Sequence, residues 1–100
     1  MKHSARFLLL LTAVVICRAD DASSQSALLN KYCVGCHNDK LKSGGLSLQS
    51  ADLSAVPAHA ETWEKVIRKL RTGSMPPQGV PHPDAASIDS FASFLEGQVF

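Results

Sequence analysis

The sequence has few aromatic residues and no large excess of charge of either sign. Its 100 residues include one tryptophan, one tyrosine and four phenylalanines, and the formal net charge is +1. A nucleic-acid-binding domain usually presents a basic face with interleaved aromatic side chains, so this composition argues against a nucleic-acid partner. No internal repeat or low-complexity tract is present, and the length allows one small domain.

Long apolar runs are also missing. The longest, at residues 7–16, is too short for a comfortable membrane span. A basic start precedes this run, and residues 17–19 place small side chains where a signal peptidase cuts. We therefore predict that residues 1–19 are a signal peptide and that the mature chain begins near Asp20. That chain would have no membrane span and would be exported to the periplasm or another extracytoplasmic compartment.

Cysteine is scarce, with only Cys17, Cys33 and Cys36. A bacterial lipoprotein carries its lipid on a cysteine that follows a small residue, and the bulky Ile16 disfavours lipid attachment at Cys17. We expect Cys17 to leave with the signal peptide. The mature chain would then keep two thiols and, having lost three basic residues, a slightly negative charge.

Those two thiols lie in the segment Cys33-Val34-Gly35-Cys36-His37. Cys-x-x-Cys-His is the attachment motif for c-type haem, in which two thiols bond to the porphyrin and the histidine binds the iron. Residues three and four apart share one face of a helical turn, so both sulfurs and the imidazole can meet one flat ring. The motif predicts covalent haem c on Cys33 and Cys36, with His37 as the proximal iron ligand.

Two other kinds of site also use a Cys-x-x-Cys pair, namely a redox-active dithiol and half of a zinc site. No second Cys-x-x-Cys follows in the sequence, and no strand-helix-strand pattern surrounds this one. The adjacent histidine and the export signal both favour haem over these alternatives.

Met75 is the only methionine besides the initiator, and two prolines follow it directly. Proline restricts its own backbone and that of the residue before it, so this thioether lies on a stiff loop rather than on a helical stripe. We predict that Met75 is the distal iron ligand, with His59 and His82 as the competing candidates. If Met75 does not bind, the iron would be open to peroxide or a gas, and the protein would be a haem enzyme.

The first of three predicted helices leads into the haem motif. It runs from Ala27, after a flexible leader at residues 20–26, and Ser24 or Ser26 would cap it. Leu29 lies one turn before Cys33, so we expect it to face the core together with the haem.

Two further helices follow from apolar residues that repeat at positions i, i+3, i+4 and i+7. One spans about His59 to Thr72 and stops before Gly73; the other starts at Pro83 or Asp84 and stops at Gly97. The fold class is therefore all-α, with about three helices around a covalent haem.

Two features near the predicted haem have open interpretations. A haem-ligating histidine normally donates its other ring N–H to a carbonyl, and the loop at residues 43–46 is our candidate, although it equally fits an ordinary turn. The helix at about His59 to Thr72 has a basic second half. In one interpretation Arg68 or Arg71 neutralises a haem propionate; in the other the basic residues form a solvated face that suits the helix dipole.

The haem motif, the helix with Trp63 and the Met75-Pro76-Pro77 loop together resemble the small class I cytochrome c fold. The segments at residues 32–38, 44–46 and 63–66 are similar, more narrowly, to the planctomycete-type cytochrome c domain. The resemblance covers about Leu28 to Leu95. It implies a cytochrome c domain over residues 27–100 that carries one electron on a His37- and Met75-ligated iron. Such a domain is an electron carrier rather than an enzyme, and its partner would be a redox protein or a linked oxidoreductase domain.

Overall fold

The computed structural model describes residue 12 and residues 22–100, and this part of the chain contains three α-helices and no strand. The helices are α1 (Ala22–Tyr32), α2 (Ala60–Arg71) and α3 (Ala85–Val99). Two short 3-10 turns, Ser43–Gly45 and Val56–His59, lie in the irregular connection between α1 and α2. The predicted all-α fold of about three helices is confirmed. The predicted signal peptide lies, apart from residue 12, outside the described residues.

Helix α1 begins earlier than the sequence predicted. Residues 22–26 are helical, so the predicted flexible leader is wrong for them, and Ser24 and Ser26 lie within the helix instead of capping it. The reason is a distant contact: Gln25 is only 3% exposed, and its Nε2 donates to Ser90 Oγ on α3 over 3.3 Å. Leu29, one turn further along α1, is buried as predicted.

Helix α2 has the bounds that its apolar periodicity predicted, to within one residue at each end. Trp63, Ile67 and Leu70 recur at spacings of four and three and are buried on one face. The helix ends at Arg71, and Gly73, just after the C-cap residue Thr72, has a φ of 73°, a left-handed conformation that glycine adopts without strain.

Helix α3 starts at Ala85, one residue after the later of the two predicted starts, Pro83 and Asp84. Asp84 is its N-cap and accepts a hydrogen bond from Ser87 N at 2.7 Å. Hydrogen bonds from Ser87 lower the pKa of Asp84 below its ordinary value. The predicted stop at Gly97 is wrong, since the helix continues to Val99. A glycine inside a helix costs only about 1 kcal/mol relative to alanine, and Phe100 N continues the ladder by donating to Glu96 O.

The buried apolar residues form one core that draws on all three helices and on the connection between α1 and α2. Its members are Leu29, Leu48, Leu53, Val56, Trp63, Ile67, Leu70, Phe91, Ala92 and Leu95. Helix α1 supplies only Leu29, whereas α2 and α3 supply three residues each. The densest packing is therefore between α2 and α3. None of the helices in residues 22–100 has the length and apolar character that crossing a bilayer requires.

Arg71, the last residue of α2, ties α2 to α3. Its guanidinium donates to Asp89 Oδ1 at 2.5 Å, to Ser93 Oγ at 3.1 Å and to Glu96 Oε1. The Glu96 and Asp89 carboxylates raise the pKa of Arg71. The interpretation of Arg71 as a partner of a haem propionate is therefore not supported, because its donors already serve α3, whereas the nearby Arg68 is exposed.

Candidate haem site

The segment Cys33 to His37 continues α1 as a tight turn. Cys33 N and Val34 N both donate to Leu29 O, at 2.9 and 3.2 Å, which extends the helical pattern past Tyr32. Cys36 N and His37 N then donate to Cys33 O at 3.3 and 3.0 Å. The turn therefore carries two sulfurs and an imidazole within five residues, which is the donor set that covalent haem attachment requires.

The two cysteines are free thiols in different surroundings. Cys33 is half-buried and packs against the core, while Cys36 is exposed. Burial raises the pKa of Cys33 to about 11, so its thiol is protonated at neutral pH. A raised pKa at Cys33 is the opposite of the lowered pKa that activates the cysteine of a redox-active dithiol.

His37 is fixed through its backbone and has a ring nitrogen without a partner. Its carbonyl accepts a hydrogen bond from Leu48 N at 2.7 Å, which ties the turn to a buried core residue. Its Nδ1 is buried and makes no hydrogen bond in the described part of the chain. A buried ring nitrogen left unpaired is costly, so the described residues leave one polar atom of this imidazole unsatisfied.

The predicted carbonyl partner for His37 in residues 43–46 is not found. Ser43 N donates to Cys36 O at 3.1 Å and Ser43 O accepts from Leu46 N at 3.3 Å, so this loop pairs with the motif and with itself through its backbone. The loop turns sharply at Lys42 and Gly44, whose φ values are 44° and 65°. The loop thus stabilises the turn at residues 33–37 but supplies no hydrogen-bond acceptor to the His37 ring.

Met75 lies on a loop that folds back onto the end of α2. Ser74 N and Met75 N both donate to Lys69 O, at 3.0 and 3.2 Å. The peptide bond between Met75 and Pro76 is cis, and Pro76 is buried. Met75 itself is 36% exposed, so its thioether is not packed as core filler and remains available to a ligand partner.

The competing histidines differ from Met75 in their surroundings. His82 Nε2 lies 2.7 Å from Pro77 O, and because a carbonyl can only accept, this nitrogen carries a hydrogen and is not free to bind iron. His82 instead closes the loop behind Met75. His59 is exposed just before α2, beside a cleft of about 320 Å³ that Trp63 also lines.

A zinc site finds no support in the side-chain geometry. Among residues 22–100, no three histidine, cysteine, aspartate or glutamate side chains are grouped so that they could hold a metal ion. Four such ligands in tetrahedral order are the rule for structural zinc. The turn supplies donors for a flat macrocycle rather than a closed cage for one ion.

Asn38 is the residue near the motif that the sequence analysis did not single out. Its Nδ2 donates to Val34 O at 2.9 Å and to Gly35 O at 3.2 Å, and its Oδ1 accepts from Lys40 N and Leu41 N at 3.1 and 2.8 Å. Asparagine is common in turns because its short side chain bonds to nearby backbone. Its position directly after His37 was the available signal.

Three short helices around one core, with a Cys-x-x-Cys-His turn at the end of the first, are consistent with a cytochrome c domain. Residues 20–95 match the family model described as "Cytochrome C oxidase, cbb3-type, subunit III", and the chain belongs to that family of cytochrome c domains. Neither the curated proteins nor the solved structures include one that matches the chain.

Membership of this family settles the cofactor and the general role. Cytochrome c domains bind haem c covalently, so haem c with its iron is the cofactor of this chain. They are electron carriers that work with redox partners, and they are generally extracytoplasmic.

Proposed function

We propose that the chain is an exported one-electron carrier in which Cys33 and Cys36 hold the haem, His37 is the proximal ligand and Met75 is the distal ligand. The observation that carries the proposal is the turn at residues 33–37, where two free thiols and a backbone-anchored histidine follow one another. The bound haem supplies the redox chemistry, which moves one electron between Fe(III) and Fe(II).

The proposed role of Met75 rests on the restraint of its loop. Two backbone donors of the loop share Lys69 O, and His82 closes the segment from behind. A thioether is a soft ligand that favours the reduced metal, so paired with an imidazole it raises the reduction potential. With ligands on both faces, no small substrate would reach the metal. The domain would therefore transfer electrons without catalysing bond chemistry, which its redox partner or a linked oxidoreductase domain would supply.

The narrower assignment, a class I cytochrome c domain of the planctomycete type, is supported by the motifs at residues 32–38, 63–66 and 75–77. Export is supported by the basic start and the apolar run at residues 7–16.

Protein produced together with the haem-attachment machinery tests covalent binding. We expect a haem absorption band that stays with the polypeptide after denaturation, and we expect the double variant Cys33→Ser with Cys36→Ser to lose it. Cys17→Ser is the matched control, because Cys17 is predicted to leave with the signal peptide and its replacement should change nothing. A colourless product from the unmodified sequence, or a crosslink that survives the double substitution, would overturn the proposal.

The ferric spectrum of the same protein tests the sixth ligand. A weak sulfur-to-iron charge-transfer band is expected if Met75 binds. Its absence, together with rapid binding of cyanide or carbon monoxide, would favour the haem enzyme with an open distal site.

A further inference from the structure

The side chain of Asn38 bonds to the two residues that separate the cysteines. Its Nδ2 donates to the carbonyls of Val34 and Gly35, and no other side chain in residues 22–100 bonds to those two carbonyls. The amide orientation is fixed by its neighbours, since two carbonyls require the nitrogen on one side and two N–H groups require the oxygen on the other. We call this set of four hydrogen bonds the Asn38 clamp.

Backbone hydrogen bonds of residues 22–100 do not reach the two carbonyls between the cysteines. Two bonds close over this segment, from Cys36 N at 3.3 Å and from His37 N at 3.0 Å, and both go to Cys33 O rather than to the carbonyls of Val34 and Gly35. Gly35 has no side chain to restrict its backbone, and nothing lies within 4 Å of where a Cβ would be. The carbonyl contacts of Asn38 therefore supply much of the order of the two peptide planes between the thiols.

We propose that Asn38 is a positioning residue that sets the spacing of the Cys33 and Cys36 thiols for attachment to one haem. This inference rests on the proposed function, in which both cysteines attach the cofactor. Each thiol adds across a vinyl group: the sulfur bonds to one carbon, the thiol proton goes to the other, and no electrons are gained or lost. Two such additions to one rigid ring require both sulfurs at fixed positions, and errors in position are expensive in rate.

The clamp also links the turn to the loop that follows it. Lys42 N donates to Asn38 O at 2.8 Å, and the next residue of the chain, Asp39, accepts from Ser47 Oγ at 2.5 Å. The side chain of Asp39 thus stabilises the same loop through Ser47, at the far end of the loop, and makes no contact with the carbonyls between the cysteines. This difference separates a positioning role for Asn38 from a general role in loop folding.

The test compares three single variants of the full chain, produced with the haem-attachment machinery. Asn38→Asp keeps the acceptor oxygen but removes the NH2 donor to Val34 and Gly35. Lys40→Gln changes the net charge by the same amount two residues away, where the side chain is exposed. Asp39→Asn weakens the loop at its other end. The readouts are the number of thioether bonds, from intact mass and from the pyridine haemochrome spectrum, and the reduction potential of the haem protein.

Asn38→Asp is expected to reduce the ratio of doubly to singly attached haem by about tenfold, while Lys40→Gln and Asp39→Asn keep the ratio of the unmodified protein. Asn38→Ala is measured in parallel. It also removes the donor to Val34 and Gly35, so the test can still be made if Asn38→Asp is degraded. Equal ratios in all variants, or an equal loss in Asn38→Asp and Asp39→Asn, would overturn the inference and leave the proposed function intact. An unmodified protein without covalent haem would instead overturn the proposed function.

Discussion

Two loops present the proposed sulfur and nitrogen ligands of this domain, and they are ordered in different ways. The turn after α1 depends on one side chain, because Asn38 donates to both carbonyls between the cysteines. The loop after α2 depends on its backbone, through the shared acceptor Lys69 O and the conformational limits of Pro76 and Pro77. The first arrangement suits a covalent reaction with two fixed targets, whereas the second suits a reversible bond from one flexible side chain.

This contrast predicts that single substitutions in the second loop are tolerated unless they remove the ligand itself. Met75→Ala is the largest change available there. We expect loss of the sulfur-to-iron band and a fall in reduction potential of roughly 0.2 V, because a harder oxygen donor such as water would replace the thioether and favour Fe(III). Val80→Ala, an exposed position in the same loop, is the control for spectroscopy and voltammetry. An unchanged potential in Met75→Ala would remove Met75 from the ligand set.

His82→Ala tests whether the second loop needs the hydrogen bond between the His82 side chain and Pro77 O. Loss of the bond to Pro77 O, worth about 1 kcal/mol, should let external imidazole displace Met75 at about fivefold lower concentration in an absorption titration. His59→Ala, which removes an exposed histidine elsewhere, should leave the titration unchanged. A variant at His82 that loses the low-spin spectrum altogether would identify His82, and not Met75, as the ligand.

Asp84 ends the second loop and starts α3, so its removal should affect stability more than ligation. At pH 7 we expect Asp84→Ala to lower the melting temperature by about 4–8 °C, as loss of an N-cap does in a domain of this size. The pKa of Asp84 is lowered in the folded state, so its contribution is complete above the pKa of the unfolded chain and is lost as the pH falls through the folded pKa.

The difference between Asp84→Ala and the unmodified protein should therefore shrink below about pH 4. Asp84→Asn, which still caps but does not titrate, serves as the control in thermal unfolding followed by circular dichroism. A difference that stays constant down to pH 2 would contradict the assigned role of the carboxylate.

Lys42 lies in the first loop, and its substitution is expected to have the smallest effect on stability. Its φ of 44° is a left-handed conformation that an ordinary side chain disfavours, so Lys42→Gly should stabilise the protein by less than about 1 kcal/mol in urea unfolding. Lys40→Gly, at a neighbouring position without a positive φ, should destabilise it. The same sign for both variants would mean that the conformation of Lys42 is not a source of strain.

Local patterns in the sequence predicted most of the fold. The stripe that contains Trp63 and Ile67 predicted the bounds of α2 to within one residue, and Pro83 and Asp84 predicted the start of α3 to within one or two, because these signals act over a few residues. The start of α1 was mispredicted because Gln25 is held by Ser90, a residue 65 positions away. The stop at Gly97 was mispredicted because tertiary packing outweighs a weak propensity.

The residue types of the candidate site could be predicted from the sequence, but the hydrogen bonds that hold these residues in place could not. The Cys-x-x-Cys-His spacing predicted the attachment turn, and family membership shows haem c as the cofactor. The acceptor for His37 was assigned to residues 43–46 on general grounds, yet that loop uses its backbone groups for Cys36 and for itself. Which carbonyl meets which donor depends on φ angles such as that of Lys42, and no sequence pattern specifies these.

The basic residues at the end of α2 differ in what they contact, because Arg71 alone is bonded to Asp89, Ser93 and Glu96 of α3. One cation is used inside the molecule to join two helices, while the exposed Arg68 and Lys69 keep their charges directed toward solvent. An incoming protein would therefore sense a narrower positive stripe than the run Lys65 to Arg71 suggests. Charge reversal at Arg71 would loosen the domain itself, whereas the same change at Lys69 would alter only long-range attraction between molecules.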